Sequence, residues 1–171
     1  FKRLRVRPRA FPELRIAQLA SLLQSSGRLF SVMLKEADCN RLLTRFQTEP
    51  SRYWTTHYGF GRKSGATPKK IGRGSLEIIL INTVVPLLFA YGKSVSDDSY
   101  QERACHFLES MKPERNRVVE EFERAGIVPR NASDTQALIQ LRKEYCEKRE
   151  CLSCQIGHRL LSATNKKRNE P

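Results

Sequence analysis

The stretch that most constrains the fold is Ser75–Tyr91, SLEIILINTVVPLLFAY, the longest apolar run in the chain, with Glu77 as its one charge. Apolar residues fall on every face of a helix drawn through it, the pattern of a helix surrounded by others. A bilayer span needs about 20 apolar residues. This run is shorter, and Asn82 and Pro86 interrupt it, so it is read as a buried helix with no membrane partner. Pro86 removes a backbone donor and predicts a kink or a restart there. Ile78–Val85 has the β-branched content of a strand, but no second strand-like run exists to pair with it.

Around this run the pattern predicts an all-α fold, a compact bundle of about six or seven helices. Pro12 suits the first position of a helix over Phe11–Gln24, with Leu14, Ala17, Leu19, Leu22 and Leu23 facing the core. Ser25, Ser26 and Gly27 end it. A second helix is predicted over about Arg28–Phe46, burying Leu29, Phe30, Met33, Leu34, Leu42, Leu43 and Phe46. After Tyr91, Asp97 or Asp98 can cap a helix over Ser99–Met111. Pro113 opens an amphipathic helix closed by Gly126. Ser133 with Gln136 fits a capping box for a helix through Ala137, Leu138, Leu141 and Tyr145. These readings give an extended basic arm at 1–10, a single helical domain at 11–165 and a frayed basic tail at 166–171.

Charge bounds the partners. The chain carries 31 Lys and Arg against 18 Asp and Glu, a formal +13, and such a surface attracts polyanions over roughly 8–10 Å. Nucleic acid, DNA or RNA, is the commonest partner of this kind, and an anionic membrane surface or an acidic partner domain fits the charge equally well. Basic residues concentrate in two places. Phe1–Ala10 holds Arg3, Arg5, Arg7 and Arg9 with no acid; its bland reading is a solvated linker. Thr48–Gly74 sets Tyr53, Trp54, Tyr58 and Phe60 among Arg52, His57, Arg62 and Lys63, followed by Lys69, Lys70 and Arg73. Cations with stacking rings can hold single-stranded nucleic acid. The competing reading, preferred for the aromatics, is that they pin an irregular loop to the core. Gly72 and Gly74 put backbone N–H groups at a helix start, which favours an anion, although the spacing is not that of a phosphate-binding loop. His57 has no neighbouring acid or Cys and is read as structural.

The one motif with chemistry is Cys146-x4-Cys151-x2-Cys154-x3-His158. Three residues of spacing set Cys151 and Cys154 on one helical face, and His158 follows one turn later. Zinc takes four Cys or His ligands in a tetrahedron, so a closed structural zinc site fits best, with Cys105 or Cys39 as substitutes for His158. An iron–sulfur cluster needs a fourth Cys and fits less well. A redox pair lacks its usual βαβ setting, and unliganded packing thiols remain an alternative. Five Cys placed this unevenly argue for a reduced, cytoplasmic setting over a disulfide framework. No nucleophile–base pair, paired carboxylates or nucleotide loop is present, so no catalytic residue is assigned.

RLRVRPRAFPELRIAQLA, YWTTHYGFGRKS, INTVVPLLFAYGKS and ALIQLRKEYCEKRECLSCQIGHRLL together resemble the C-terminal half of a bacterial family, domain of unknown function twenty-eight fifty-one. The resemblance runs in collinear order over nearly the whole chain. It implies a further N-terminal half, consistent with a chain that begins at Phe1, and a carboxylate pattern in that half similar to nuclease cores of the PD-(D/E)xK type. It covers the positions of Cys146, Cys151 and Cys154. Two functions follow as expectations: a non-catalytic basic module binding nucleic acid, or a protein-interaction scaffold whose basic face meets its own N-terminal half.

Overall fold

The computed structural model describes residues 6–159. Among them the fold is all-α. A 3-10 turn at Pro8–Ala10 precedes eight α-helices: α1 Pro12–Ser26, α2 Leu29–Lys35, α3 Cys39–Phe46, α4 Arg73–Ile79, α5 Val85–Val95, α6 Asp98–Ser110, α7 Arg117–Arg124 and α8 Ala132–Leu141. The chain forms two compact units, Phe1–Phe107 and Leu108–Pro171, with the boundary inside α6.

The apolar run is the central helix of the first unit. A π-helical turn at Leu80–Val84 joins α4 to α5, making one rod from Arg73 to Val95. The π turn is the consequence of Pro86. A proline there has no N–H to give and its ring presses on the preceding turn; widening that turn keeps the helix running. Asn82 Nδ2 donates to Ile78 O at 3.0 Å within the same turn. Burial runs along one stripe, Leu76, Leu80, Ile81, Val84, Val85 and Leu88, rather than around every face. Ile78, Leu87 and Phe89 are exposed. By length and composition the rod could cross a membrane, with about a third of its most apolar window (33%) buried.

Local chemistry moves several expected boundaries. The helix expected over Arg28–Phe46 is two helices. Glu36 takes an extended conformation, and Asp38 Oδ1 accepts from Arg41 N at 2.7 Å as the N-cap of α3. Arg45 spans the break to Glu36 at 3.3 Å. In α1 the inward face is Leu14, Gln18 and Leu22 together with Glu13, while Leu19 and Leu23 are exposed. Gln18 is drawn in because its Nε2 donates to Lys69 O at 2.7 Å. Residue Asp97 caps α6 through Ser99 N at 3.0 Å.

Tight packing fixes the turn between α5 and α6. Ser96 adopts the left-handed conformation (φ 54°). A Cβ on Gly92 would lie 2.8 Å from Asp97 O and 2.9 Å from Tyr100 Cβ. Tyr91 packs edge-on against Tyr100 and Phe30 at 5.0 and 5.5 Å. Arg103 donates to Leu34 O at 2.7 Å, tying α6 to α2.

In the second unit, α7 starts at Arg117, capped by Asn116 through Val119 N at 3.0 Å, so Pro113 precedes the helix instead of opening it. Asn131 caps α8 through Asp134 N at 3.0 Å, two residues ahead of the expected Ser133. A π turn at Arg142–Cys146 extends α8.

Candidate nucleic-acid interface

The irregular segment between α3 and α4 is built on short-range hydrogen bonds. A 3-10 turn spans Arg52–Thr56. His57 and Lys63 pair as an antiparallel bridge, and Ser64 N and Thr67 N donate to Thr56 O and Thr55 O at 2.7 and 2.9 Å. His57 is buried. Its Nδ1 lies 2.8 Å from Tyr53 O, and its ring stacks on Tyr53 at 4.0 Å with 9° between planes. Trp54 is buried and pins the segment, as expected. Phe60 is not: it is 71% exposed, 5.4 Å from the Trp54 ring. Tyr53 is also exposed. Exposed and buried rings thus form one cluster with an outward aromatic face.

Lys69, expected as a solvated phosphate contact, is 3% exposed. Its ammonium donates to Thr55 O at 3.2 Å, Thr67 O at 3.4 Å and Thr67 Oγ1, and lies over the Tyr58 ring at 3.8 Å. It therefore holds the loop together and does not reach into solvent. The setting lowers the Tyr58 pKa from its ordinary value: the Thr67 hydrogen bond contributes most, partial burial opposes it, and Lys69 and Arg9 add to it. Among the described residues no carboxylate lies within 4.0 Å of Lys69.

The remaining cations divide into paired and unpaired. Arg73 is tied to Glu77 at 2.9 Å and to Asn40 Oδ1 at 2.8 Å. Lys70 stands 4.0 Å from Glu49. Arg7, Arg9, Arg62 and Lys63 are exposed, with no carboxylate within 4.0 Å among the described residues. Arg3 and Arg5 lie outside the described residues. The two basic stretches converge: Arg9, with Lys69 and Lys70, lines a single cavity of about 180 Å³. Arg15 also lines it, a residue that sequence reading passed over because it sits in an ordinary amphipathic helix.

The cysteine motif is placed differently. Cys146 and Cys151 are exposed and Cys154 is buried. Cys146 ends the π turn after α8, and Arg149 reverses the chain at positive φ. Residues 155–159 are helical, and His158 N donates to Cys154 O at 2.8 Å, one turn on as the spacing predicts. A Cβ on Gly157 would collide with the Cys151 carbonyl, so that backbone packs directly on the helix. Among the described residues no group of three or more His, Cys, Asp or Glu side chains converges to hold a metal.

No curated protein and no solved structure matches the chain. A family model does match, over residues 1–117, a span that holds both basic stretches and the central rod and stops short of the cysteine motif. The similarity drawn above through Cys146–Cys154 lies outside it. Over that matched span the chain belongs to the family described as protein of unknown function (DUF2851).

Proposed function

We propose that the protein is a non-catalytic basic helical module that binds nucleic acid through its first unit. One observation carries this reading: basic stretches more than fifty residues apart in sequence meet at one cavity, lined by Arg9, Lys69 and Lys70, and the exposed Arg7, Arg9, Arg62 and Lys63 have no carboxylate partners among the described residues. Unpaired cations can neutralise phosphates and release condensed counterions. Exposed Phe60 and Tyr53 add rings on which bases can stack.

The test is fluorescence anisotropy with labelled single-stranded DNA and RNA across a salt series. Affinity falls steeply with salt, with a slope of about −0.7 per phosphate contact. Replacing Arg7, Arg9, Arg62 and Lys63 by Gln flattens that slope. Absence of binding at low salt overturns the reading.

A second reading, a protein-interaction module, is favoured by a different observation. An apolar cavity of about 540 Å³ lies between α1, α2 and the central rod, lined by Leu19, Leu22, Met33, Phe46 and Ile78 among others. Leu19 and Ile78 are more than half exposed, at 51% and 56%. A partner held there, in the same polypeptide or another, binds with little salt dependence because apolar burial carries it.

A further inference from the structure

The small cavity at the start of the central rod has the makings of a site for one phosphate group. We infer that it binds the terminal phosphomonoester of a nucleic-acid strand, an inference that rests on the nucleic-acid reading above.

The charge argument comes first. Arg9, Arg15, Lys69 and Lys70 line the cavity, and none of its lining residues is acidic. Buried charges are ordinarily paired; the Lys69 ammonium is buried among neutral oxygens and a ring, so no anion among the described residues offsets its charge. Arg15 is oriented by donating to Gln18 Oε1 at 3.0 Å and Ser75 Oγ at 3.5 Å, and Gln18 is itself anchored on Lys69 O at 2.7 Å. A guanidinium carries five N–H donors, so donors remain for a ligand. Lys70 has one competing anion, Glu49 at 4.0 Å, and both side chains are about half exposed.

The backbone argument is independent of the side chains. Gly72 caps a helix that continues to Val95; Ser75 N and Leu76 N donate to Gly72 O at 3.0 and 3.1 Å, and the N–H groups of Arg73 and Gly74 precede the first of these bonds. Gly72 has an ordinary negative φ of −68°, and a Cβ at Gly72 or Gly74 would meet open space. Neither a turn nor packing requires glycine at these positions. Gly72 lines the cavity, and the absence of a side chain leaves its backbone open to a ligand.

Size and charge narrow the ligand. Sites for whole small molecules run to roughly 300–1,000 Å³, and this cavity of about 180 Å³ is smaller, suited to one group rather than a nucleoside. A monoester phosphate carries about −1.5 to −2 at neutral pH, against −1 for a backbone diester. A cavity walled by cations therefore favours the strand end over the strand interior.

The experiment compares three single-stranded oligonucleotides of one sequence, bearing a 5′-phosphate, a 3′-phosphate or hydroxyls at both ends, on the full chain. One phosphorylated form binds about tenfold tighter than the hydroxyl form, the worth of one charge-assisted hydrogen bond or more. Arg15→Gln removes that preference, so that the phosphorylated and hydroxyl forms bind alike, and Lys70→Gln, at an exposed position, reduces it. Equal affinity for all three overturns the inference and leaves the nucleic-acid reading standing. No binding of any form overturns both. Inorganic phosphate matching the affinity of the phosphorylated strand identifies the ligand as free phosphate and also overturns the strand-end assignment.

Discussion

The Lys69 ammonium lies 3.8 Å from the centre of the Tyr58 ring, and both residues bind the same hydroxyl, Thr67 Oγ1. This contact joins the aromatic segment to the loop that leads into the central rod. Its consequence falls on the ionisation of Tyr58. Tyr58 ionises below the ordinary tyrosine value, chiefly through the Thr67 hydrogen bond and with help from Lys69. Lowering a folded-state pKa means that ionisation favours the fold: the contribution is complete above the unfolded value near about 10 and is lost as pH falls through the folded value. Ultraviolet titration should show one early tyrosine step, absent in Tyr58→Phe and shifted upward in Lys69→Met. Unfolding in urea should show Lys69→Met destabilised by about 1–3 kcal/mol, because Thr55 O and Thr67 O lose a donor.

Two glycines give opposite signs when changed to alanine. At Gly92 an added Cβ meets Asp97 O and Tyr100 Cβ at under 3.0 Å, and backbone cannot yield as a side-chain tip can. Gly92→Ala should cost about 1–3 kcal/mol by forcing α5 and α6 apart. Gly74 is helical with open space around it. Gly74→Ala should stabilise by about 0.5 kcal/mol by restricting the unfolded chain. Chemical denaturation of the two variants checks both signs.

How much of this was legible in the sequence depends on what kind of signal each feature leaves. The apolar run announced the central helix because its composition exceeds anything else in the chain, and Pro86 announced an irregularity, which takes the form of a π turn and a restart of the α-helix at Val85 with Pro86 in its first turn. The break between α2 and α3 was overlooked because apolar residues continue through Leu34 and Leu42, while the signal for the new start, Asp38 three residues before Arg41, is a single cap. The face of α1 was misassigned because periodicity counts apolar residues, and the structure buries Gln18 for a hydrogen bond that lies fifty-one residues away in sequence. The basic stretches were readable as composition. Their convergence was not, nor was the withdrawal of Lys69 from solvent, since both depend on tertiary contacts.

The cysteines offer a test that needs no assumption about a metal. Cys105, Cys146 and Cys151 are exposed, while Cys39 and Cys154 are buried. Thiol modification of the native protein should therefore show three fast groups and two slow ones, all five becoming fast on unfolding. A zinc or iron–sulfur centre would instead protect Cys146, Cys151 and Cys154 together until a chelator released them, and elemental analysis would find the metal in proportion. Single Cys→Ser variants assign each phase, since reactivity follows thiolate access.

Phe60 and Trp54 separate the two roles that an aromatic can play in the same loop. Their rings are 5.4 Å apart, yet Phe60 is largely exposed and Trp54 is buried. Removing Phe60 takes little apolar surface out of the core, so Phe60→Ala should leave urea stability within about 0.5 kcal/mol of the parent. If Phe60 stacks on a base, the same change should weaken single-stranded binding by about 1–3 kcal/mol while leaving the salt slope unchanged, because no phosphate contact is lost. Trp54→Ala should do the reverse in order of cause, losing about 3–5 kcal/mol of stability first and binding only as the loop loosens. If Phe60→Ala binds as tightly as the parent, the exposed ring is a cover for Trp54 and the cations bind phosphate without help from stacking.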